Sequence, residues 1–180
     1  MNQILGGLFS SRINLNLRER HGFTYGAYSS VDENRGVAPL WVSASVRTDA
    51  TGASIREILA EARAMLEREV SAEELELAKE SIARSLPALF QTSGNVISTI
   101  GNLFVFDLPP EYYEGLPARL AAVSAREVLE STRRHLTPDR MIVVAVGDRR
   151  EIEPQIARLG LGPIAHRNAD GEVVEEVARS

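Results

Sequence analysis

A chain of 180 residues, 44% of them hydrophobic, is long enough to close one core and short for two ordinary domains. Its formal net charge of -5, with 25% charged residues, describes a mildly acidic globule and leaves no ground to expect DNA or RNA as a partner. The absence of cysteine removes disulfides, thiolate metal sites and cysteine nucleophiles together, and leaves the redox compartment open.

The first residues, Met1 to Gly7, lack the basic start, apolar middle and small-residue cleavage site of a signal peptide. From Ile4 to about Arg20, Ile4, Leu8 and Leu15, with Ile13 and Leu17 offset, recur near helical spacing, which predicts a helix ending at His21-Gly22. Gly22 suits the left-handed position that ends many helices. Thr24 to Val31 is rich in Thr, Tyr and Val, as strands are. In Leu40 to Arg47, Leu40, Val42, Ala44 and Val46 alternate with Trp41, Ser43, Ser45 and Arg47, the period of a half-buried strand. The charged, turn-prone residues from Asp32 to Pro39 make the two an antiparallel hairpin with an exposed loop.

Asp49 or Thr51 can cap the next helix, whose inner face is Ile55, Ile58, Ala62, Met65 and Leu66 and which ends near Glu69. Ser71 and Glu74 have capping-box spacing for another, with Leu75, Ala78, Ile82 and Leu86 buried and Pro87 ending or kinking it. Ser93 to about Phe106 reads as a further helix, Leu108-Pro109-Pro110 breaks the pattern, and Glu111 to Leu120 forms a short one. Ser124 and Glu127 repeat the capping box before a helix faced by Val128, Leu129, Thr132 and Leu136. Met141 to Val146 is the longest apolar run, far below the roughly 18 residues of a membrane span. Apolar on both faces, it predicts a central buried strand, closed by Gly147-Asp148. A loose tail with one frayed strand at Val173-Val174 is expected over 161–180. With no internal repeat or linker, the order is that of one α+β domain, a mixed sheet with helices packed on it.

Self-contained hydrolase chemistry finds no motif. His21, His135 and His166 stand outside any H-x-x-E-H pattern, so structural or solvated roles are expected for them. The acidic run of Glu73, Glu74, Glu76 and Glu80 reads as a solvated helix face. Gly52-Ala53-Ser54 is followed by Ile55-Arg56, which is not a nucleophile elbow, and no phosphate-binding loop is present.

What stands out is Leu5-Gly6-Gly7-Leu8-Phe9-Ser10-Ser11-Arg12, then Leu17-Arg18-Glu19, then Gly22-Phe23-Thr24-Tyr25-Gly26. With Ser43 to Thr48, Ser71 to Leu75, Ala78-Lys79 and Ile142 to Asp148, these residues resemble the C-terminal, zinc-free domain of pitrilysin/insulinase-type metallopeptidases, over about Ile4 to Gly171. In that family two homologous halves close like a clamshell, one carrying the zinc motif and the other holding substrate. The resemblance implies no metal in this chain, zinc in a homologous partner domain, fused or separate, and a peptide as substrate. It implies that Arg18 and Tyr25 reach the partner's active site and that the Gly6-Gly7 backbone lies near the cavity. On chemistry alone, Arg18 could present a fork of donors to a substrate carbonyl or oxyanion and Tyr25 one more. The bland alternatives are a surface helix arginine and a half-buried strand aromatic. Paired glycines inside a helical pattern cost stability and point to close backbone approach.

Family domains of this kind begin with another strand and helix before the glycine pair, so an N-terminally truncated domain is expected, whose open sheet edge invites homodimerisation. A structural or assembly subunit of the same superfamily, without proteolytic activity, is the alternative function. Cytoplasm and periplasm are both left open.

Overall fold

The computed structural model describes residues 1–176. The helix expected from Ile4 to Arg20 is broken in two. Gln3–Gly7 forms a wide turn of π type, Leu8 to Ser11 is an irregular link, and helix α1 (Arg12–Asn14) runs on into a second wide segment, Leu15–Arg20. Close approach causes the break. A Cβ on Gly6 would lie 2.5 Å from the Ser29 hydroxyl and 2.7 Å from the Ser29 backbone nitrogen, so the first turn is pressed onto the following strand where only glycine fits. The buried Asn14 amide then closes the link by donating to the Phe9 carbonyl at 2.6 Å.

Gly22 ends the helical segment in the left-handed region at φ 61°, with Gly22 N–H donating to the Arg18 carbonyl at 3.1 Å and Phe23 N–H to that of Leu17 at 2.8 Å. Strands β1 (Thr24–Val31) and β2 (Leu40–Val46) pair antiparallel, with Ala27 opposite Ala44, Ser29 opposite Val42 and Val31 opposite Leu40. Their inner face, with Ala27 and Ser29 buried, turns toward the first helical turns. Their outer face carries exposed Tyr28 and Trp41.

Helix α2 (Thr51–Glu67) follows a short turn at Thr48–Ala50. Neither Asp49 nor Thr51 caps it: Asp49 is paired with Arg47, the Thr51 hydroxyl donates back to the Thr48 carbonyl, and the cap position is Ala50. One orphan amide, Gly52 N–H, is met instead by the Gln155 side chain at 3.1 Å, far along the chain. Helix α3 (Ala72–Ser85) has the expected capping box at Ser71 and Glu74 and stops before Pro87, where a tight turn, Leu86–Phe90, takes over. Helices α4 (Ser93–Val105), α5 (Tyr112–Ala122) and α6 (Ala125–His135) come next, α6 with the capping box at Ser124 and Glu127. The core joins Leu5, Ile13 and Leu17 of the first segments, Ala27 of β1, Ala62 and Met65 of α2, Ala78 of α3, and Val128 and Leu136 at α6.

The expected central strand is the main departure. Residues 141–146 pair with no strand, and Ile142, Val144 and Val146 are 90%, 81% and 96% exposed. The α+β class stands, but among the described residues the strands form two antiparallel two-stranded sheets rather than one mixed sheet. Periodicity identified an apolar strand-like run and could not supply its neighbours. Helix α7 (Arg149–Ala157), opened by Asp148 accepting from Arg150 N–H, was not anticipated; the sequence signal was Asp148 with Ile152 and Ile156 at helical spacing. In the tail, β3 (Ala165–Arg167) pairs antiparallel with β4 (Val173–Glu176), and residues 177–180 of the expected loose tail lie outside the described residues.

Candidate functional site

Arg18 and Tyr25 hang from one turn. Arg18 lies in the last turn of the segment Leu15–Arg20, Gly22 reverses the chain, and Tyr25 is the second residue of β1. The Arg18 guanidinium lies over the Phe9 ring, 4.4 Å from its centroid, with Nη1 3.3 Å from a Glu19 carboxylate oxygen. An aromatic face holds a guanidinium plane while leaving its edge donors free to turn elsewhere. Nη1 is buried and, among the described residues, makes no hydrogen bond of good geometry.

Tyr25 is 99% exposed. It sits in a β-bulge: from Thr24 to Ala27, β1 carries one residue more than β2 does from Val46 to Ala44. A bulge re-aims the side chain it carries and leaves it outside the regular ladder. The bulge is held on both sides. The Thr24 hydroxyl donates to the Ser45 carbonyl at 2.6 Å and accepts from Gly26 N–H at 3.1 Å, while Ala27 N–H donates to the buried Asn14 Oδ1 at 2.9 Å. The phenol of Tyr28 lies back over Gly26, where a Cβ would sit 2.9 Å from its oxygen. A second phenol therefore flanks the bulge.

The structure thus brings Arg18 together with Phe9, and Gly6 together with Ser29 of β1. Gly7 faces only the Gln3 and Asn2 side of its own turn. Phe9, Asn14 and Tyr28 escaped sequence reasoning. Phe9 lies in the quoted motif without any spacing that links it to Arg18, Asn14 looks like an ordinary polar helix residue, and Tyr28 looks like an ordinary strand aromatic.

Two further contacts fix the segment that carries Arg18. Arg12 donates to both carboxylate oxygens of Glu74, Nε at 2.6 Å and Nη2 at 2.8 Å. Hydrogen bonding from Arg12, helped by the Ser71 N–H, holds the Glu74 carboxyl down at about 2 against the pull of desolvation, and the Arg12 guanidinium is raised in return. The Asn16 amide donates to Glu61 at 2.7 Å and Glu57 at 3.3 Å, along a cleft of about 660 Å³ between the first segments, α2 and the start of α3. Its walls mix Arg12, Arg20 and Arg68 with Glu57, Glu61, Glu69 and Glu74, so opposite charges largely compensate.

Metal ligation fails on donor placement. His21 stacks on Phe23 and lies 3.8 Å from Glu57, His135 closes α6, and His166 lies 3.3 Å from Glu153. Among the described residues no three His, Cys, Asp or Glu are grouped so as to hold a metal ion. No described helix is long and apolar enough to cross a membrane.

The fold is shared with known structures. A peptidase M16 inactive domain from Pseudomonas fluorescens superposes with a TM-score of 0.70 at 24% identity, over 77% of this chain and 33% of that one. A candidate zinc protease from Bordetella pertussis Tohama I gives 0.63 at 14%, over 75% and 74%, and a protease from Helicobacter pylori 0.62 at 15%, over 74% and 32%. The chain spans about a third of the length of the Pseudomonas and Helicobacter structures. Residues 1–82 match the family model of the peptidase M16 inactive domain, over the stretch that holds the glycine pair, Leu17-Arg18-Glu19 and Gly22 to Gly26. Among curated proteins no sequence matches the chain.

Proposed function

We propose that this chain is the non-catalytic, substrate-binding half of a zinc-dependent metalloendopeptidase, completing in trans the active site of a homologous domain that carries the zinc motif. The observation that carries the proposal is the turn at Gly22, which presents on one side a guanidinium over the Phe9 ring and on the other a fully exposed phenol on a pinned bulge. A tyrosine held in water by a rigid bulge gains nothing for this chain alone. It is placed to meet something else.

The metal and the general base belong to the partner half in this reading, in keeping with the absence of a grouped donor set among the described residues. What this chain supplies is donors and position. The edge N–H groups of Arg18 and the hydroxyl of Tyr25 bond a peptide carbonyl and stabilise the charge that develops on it, and the rigid turn keeps them in place without reorganisation. Removing one such donor from a preorganised site costs on the order of 10²–10³ in turnover.

The test is peptide hydrolysis by this chain paired with a zinc-motif half. Expected are no cleavage by this chain alone, cleavage by the pair, and a loss of about 10²-fold in kcat for Arg18→Ala, with a smaller loss for Tyr25→Phe. A chain that cleaves alone through a chelator-sensitive site, or an active pair indifferent to both substitutions, overturns the reading.

A further inference from the structure

Along the cleft of about 660 Å³ between the first helical segments and α2, the recessed charge is negative. Glu57 and Glu61 stand one turn apart on α2 and both line it, half-buried. Like charges at that spacing repel and opposite ones attract. Here neither carboxylate is answered by a close cation. Glu57 has His21 Nε2 at 3.8 Å and Arg56 Nε at 3.9 Å, and Glu61 makes no ion pair among the described residues. Arg12 is spent on Glu74, while Arg20 and Arg68, which also line the cleft, are exposed and make no ion pair among the described residues. What holds the two carboxylates together is the amide of Asn16, 4% exposed, whose Nδ2 donates to Glu61 at 2.7 Å and to Glu57 at 3.3 Å. Turned that way, the amide leaves its own Oδ1 buried and without a partner, which costs stability. A neutral group that forgoes a bond of its own to hold two like charges side by side serves this chain worse than a plain ion pair would.

We propose that this cleft binds an arginine side chain, with the guanidinium seated between Glu57 and Glu61 and the alkyl stem lying over Leu15, Ala60 and Ala64. The spacing selects the head group. Cβ atoms one turn apart lie about 5–6 Å from each other, so the two carboxylates offer acceptors across a span that a planar fork of five N–H donors bridges and a compact ammonium meets at one end only. Each carboxylate keeps lone pairs beyond the bond it takes from Asn16, so seating the guanidinium breaks no contact. The wall selects the stem. Leu15 is 44% exposed, and Ala60 and Ala64 leave open the space beside α2 that longer side chains would fill, which suits methylenes that arrive attached to a charge. A metal ion fits less well, since two carboxylates facing an amide N–H supply too few oxygens for a hard cation. A peptide arginine and a small alkylguanidine share the chemistry that fits. Neither Arg18 nor Tyr25 takes part.

The test is a titration of the isotope-labelled chain with N-acetyl-arginine amide, followed by nuclear magnetic resonance at the Asn16 side-chain amide. Expected is saturable binding with Kd on the order of 1 mM, as one forked ion pair and a short stem allow. N-acetyl-lysine amide should bind about tenfold more weakly, and N-acetyl-citrulline amide, which keeps the shape and lacks the charge, should not bind. Glu57→Gln and Glu61→Gln retain an acceptor for Asn16 and should each weaken binding about tenfold. Ala64→Leu leaves both carboxylates in place but fills the path of the stem, and should weaken it about fivefold. Far-ultraviolet circular dichroism checks that each variant is folded. Agmatine carries the guanidinium and stem alone: affinity equal to that of the arginine amide assigns recognition to head and stem, and weaker affinity adds the peptide groups, either result upholding the site. An Asn16 amide that does not shift up to about 10 mM arginine amide overturns the proposal. So does a lysine or citrulline amide that binds as tightly, or a set of folded variants that bind like wild type. No readout involves hydrolysis or a zinc-bearing half, so failure here leaves the function proposed above standing, and the reverse.

Discussion

The Arg12–Glu74 pair makes the sharpest test of how the Arg18 segment is held. Glu74 accepts two bonds from Arg12 and one from Ser71 N–H at 2.9 Å, while its own N–H donates to the Ser71 hydroxyl at 3.1 Å, so a single carboxylate joins α1 to the start of α3. Glu74→Gln keeps the shape and removes the charge. The carboxyl is lowered from 4.5 to about 2, chiefly by the Arg12 hydrogen bonds. At face value that is about 3 kcal/mol, but with 31% of the side chain exposed, solvent screening brings it to about 1–2 kcal/mol. For a chain of this size the loss lowers Tm by about 3–6 °C at pH 7. A carboxylate whose folded pKa is depressed contributes fully above its unfolded value and loses that contribution as the pH falls. The Tm gap between wild type and Glu74→Gln should therefore close as pH drops from about 4.5 toward about 2. The measurement is thermal unfolding followed by circular dichroism at both pH extremes. A gap under about 1 °C at pH 7, or one that persists unchanged to pH 2, refutes the account.

Two further outcomes are expected. Gly6→Ala drives a Cβ into the backbone of Ser29 and should cost about 2–3 kcal/mol, whereas Gly7→Ala meets mainly the movable end of Gln3 and should stay within about 1 kcal/mol of wild type, both read by chemical denaturation. Phe9→Ala removes the ring beneath Arg18. In an active pair it should lower kcat/KM about fivefold to tenfold in the wild-type background but cost little more when added to Arg18→Ala, and full additivity of the two losses would show that the ring does not act through Arg18.

Local rules were legible in the sequence wherever one residue answers to a near neighbour. The hairpin and both capping boxes follow from alternation and from Ser–x–x–Glu spacing, and Gly22 adopts the left-handed conformation its position asked for. Long-range partners were not legible. The cap of α2 depends on Gln155, the break before α1 on Ser29, and the bulge at Tyr25 on Asn14 reaching Ala27. Residues 142–146 show the same limit from the other side: an apolar pattern states that a strand wants covering and does not say by what. Arg18 and Tyr25 came from the family resemblance, since their spacing alone favours a surface arginine and a strand aromatic.

The relation between Arg18 and Tyr25 is over-determined, and this bears on what they can do. The Gly22 turn alone would leave the helical segment and β1 free to hinge. Two buried links remove that freedom: the Asn14 amide, which joins the Phe9 carbonyl to Ala27 N–H, and the glycine contact of Gly6 with Ser29. Phe9, the platform of Arg18, and Ala27, the end of the bulge that carries Tyr25, are therefore tied to the same side chain. In the function proposed for them, donors carried on a backbone fixed in this way would lose less conformational entropy on engaging a peptide, and stabilising a developing charge requires such preorganisation more than it requires a flexible reach.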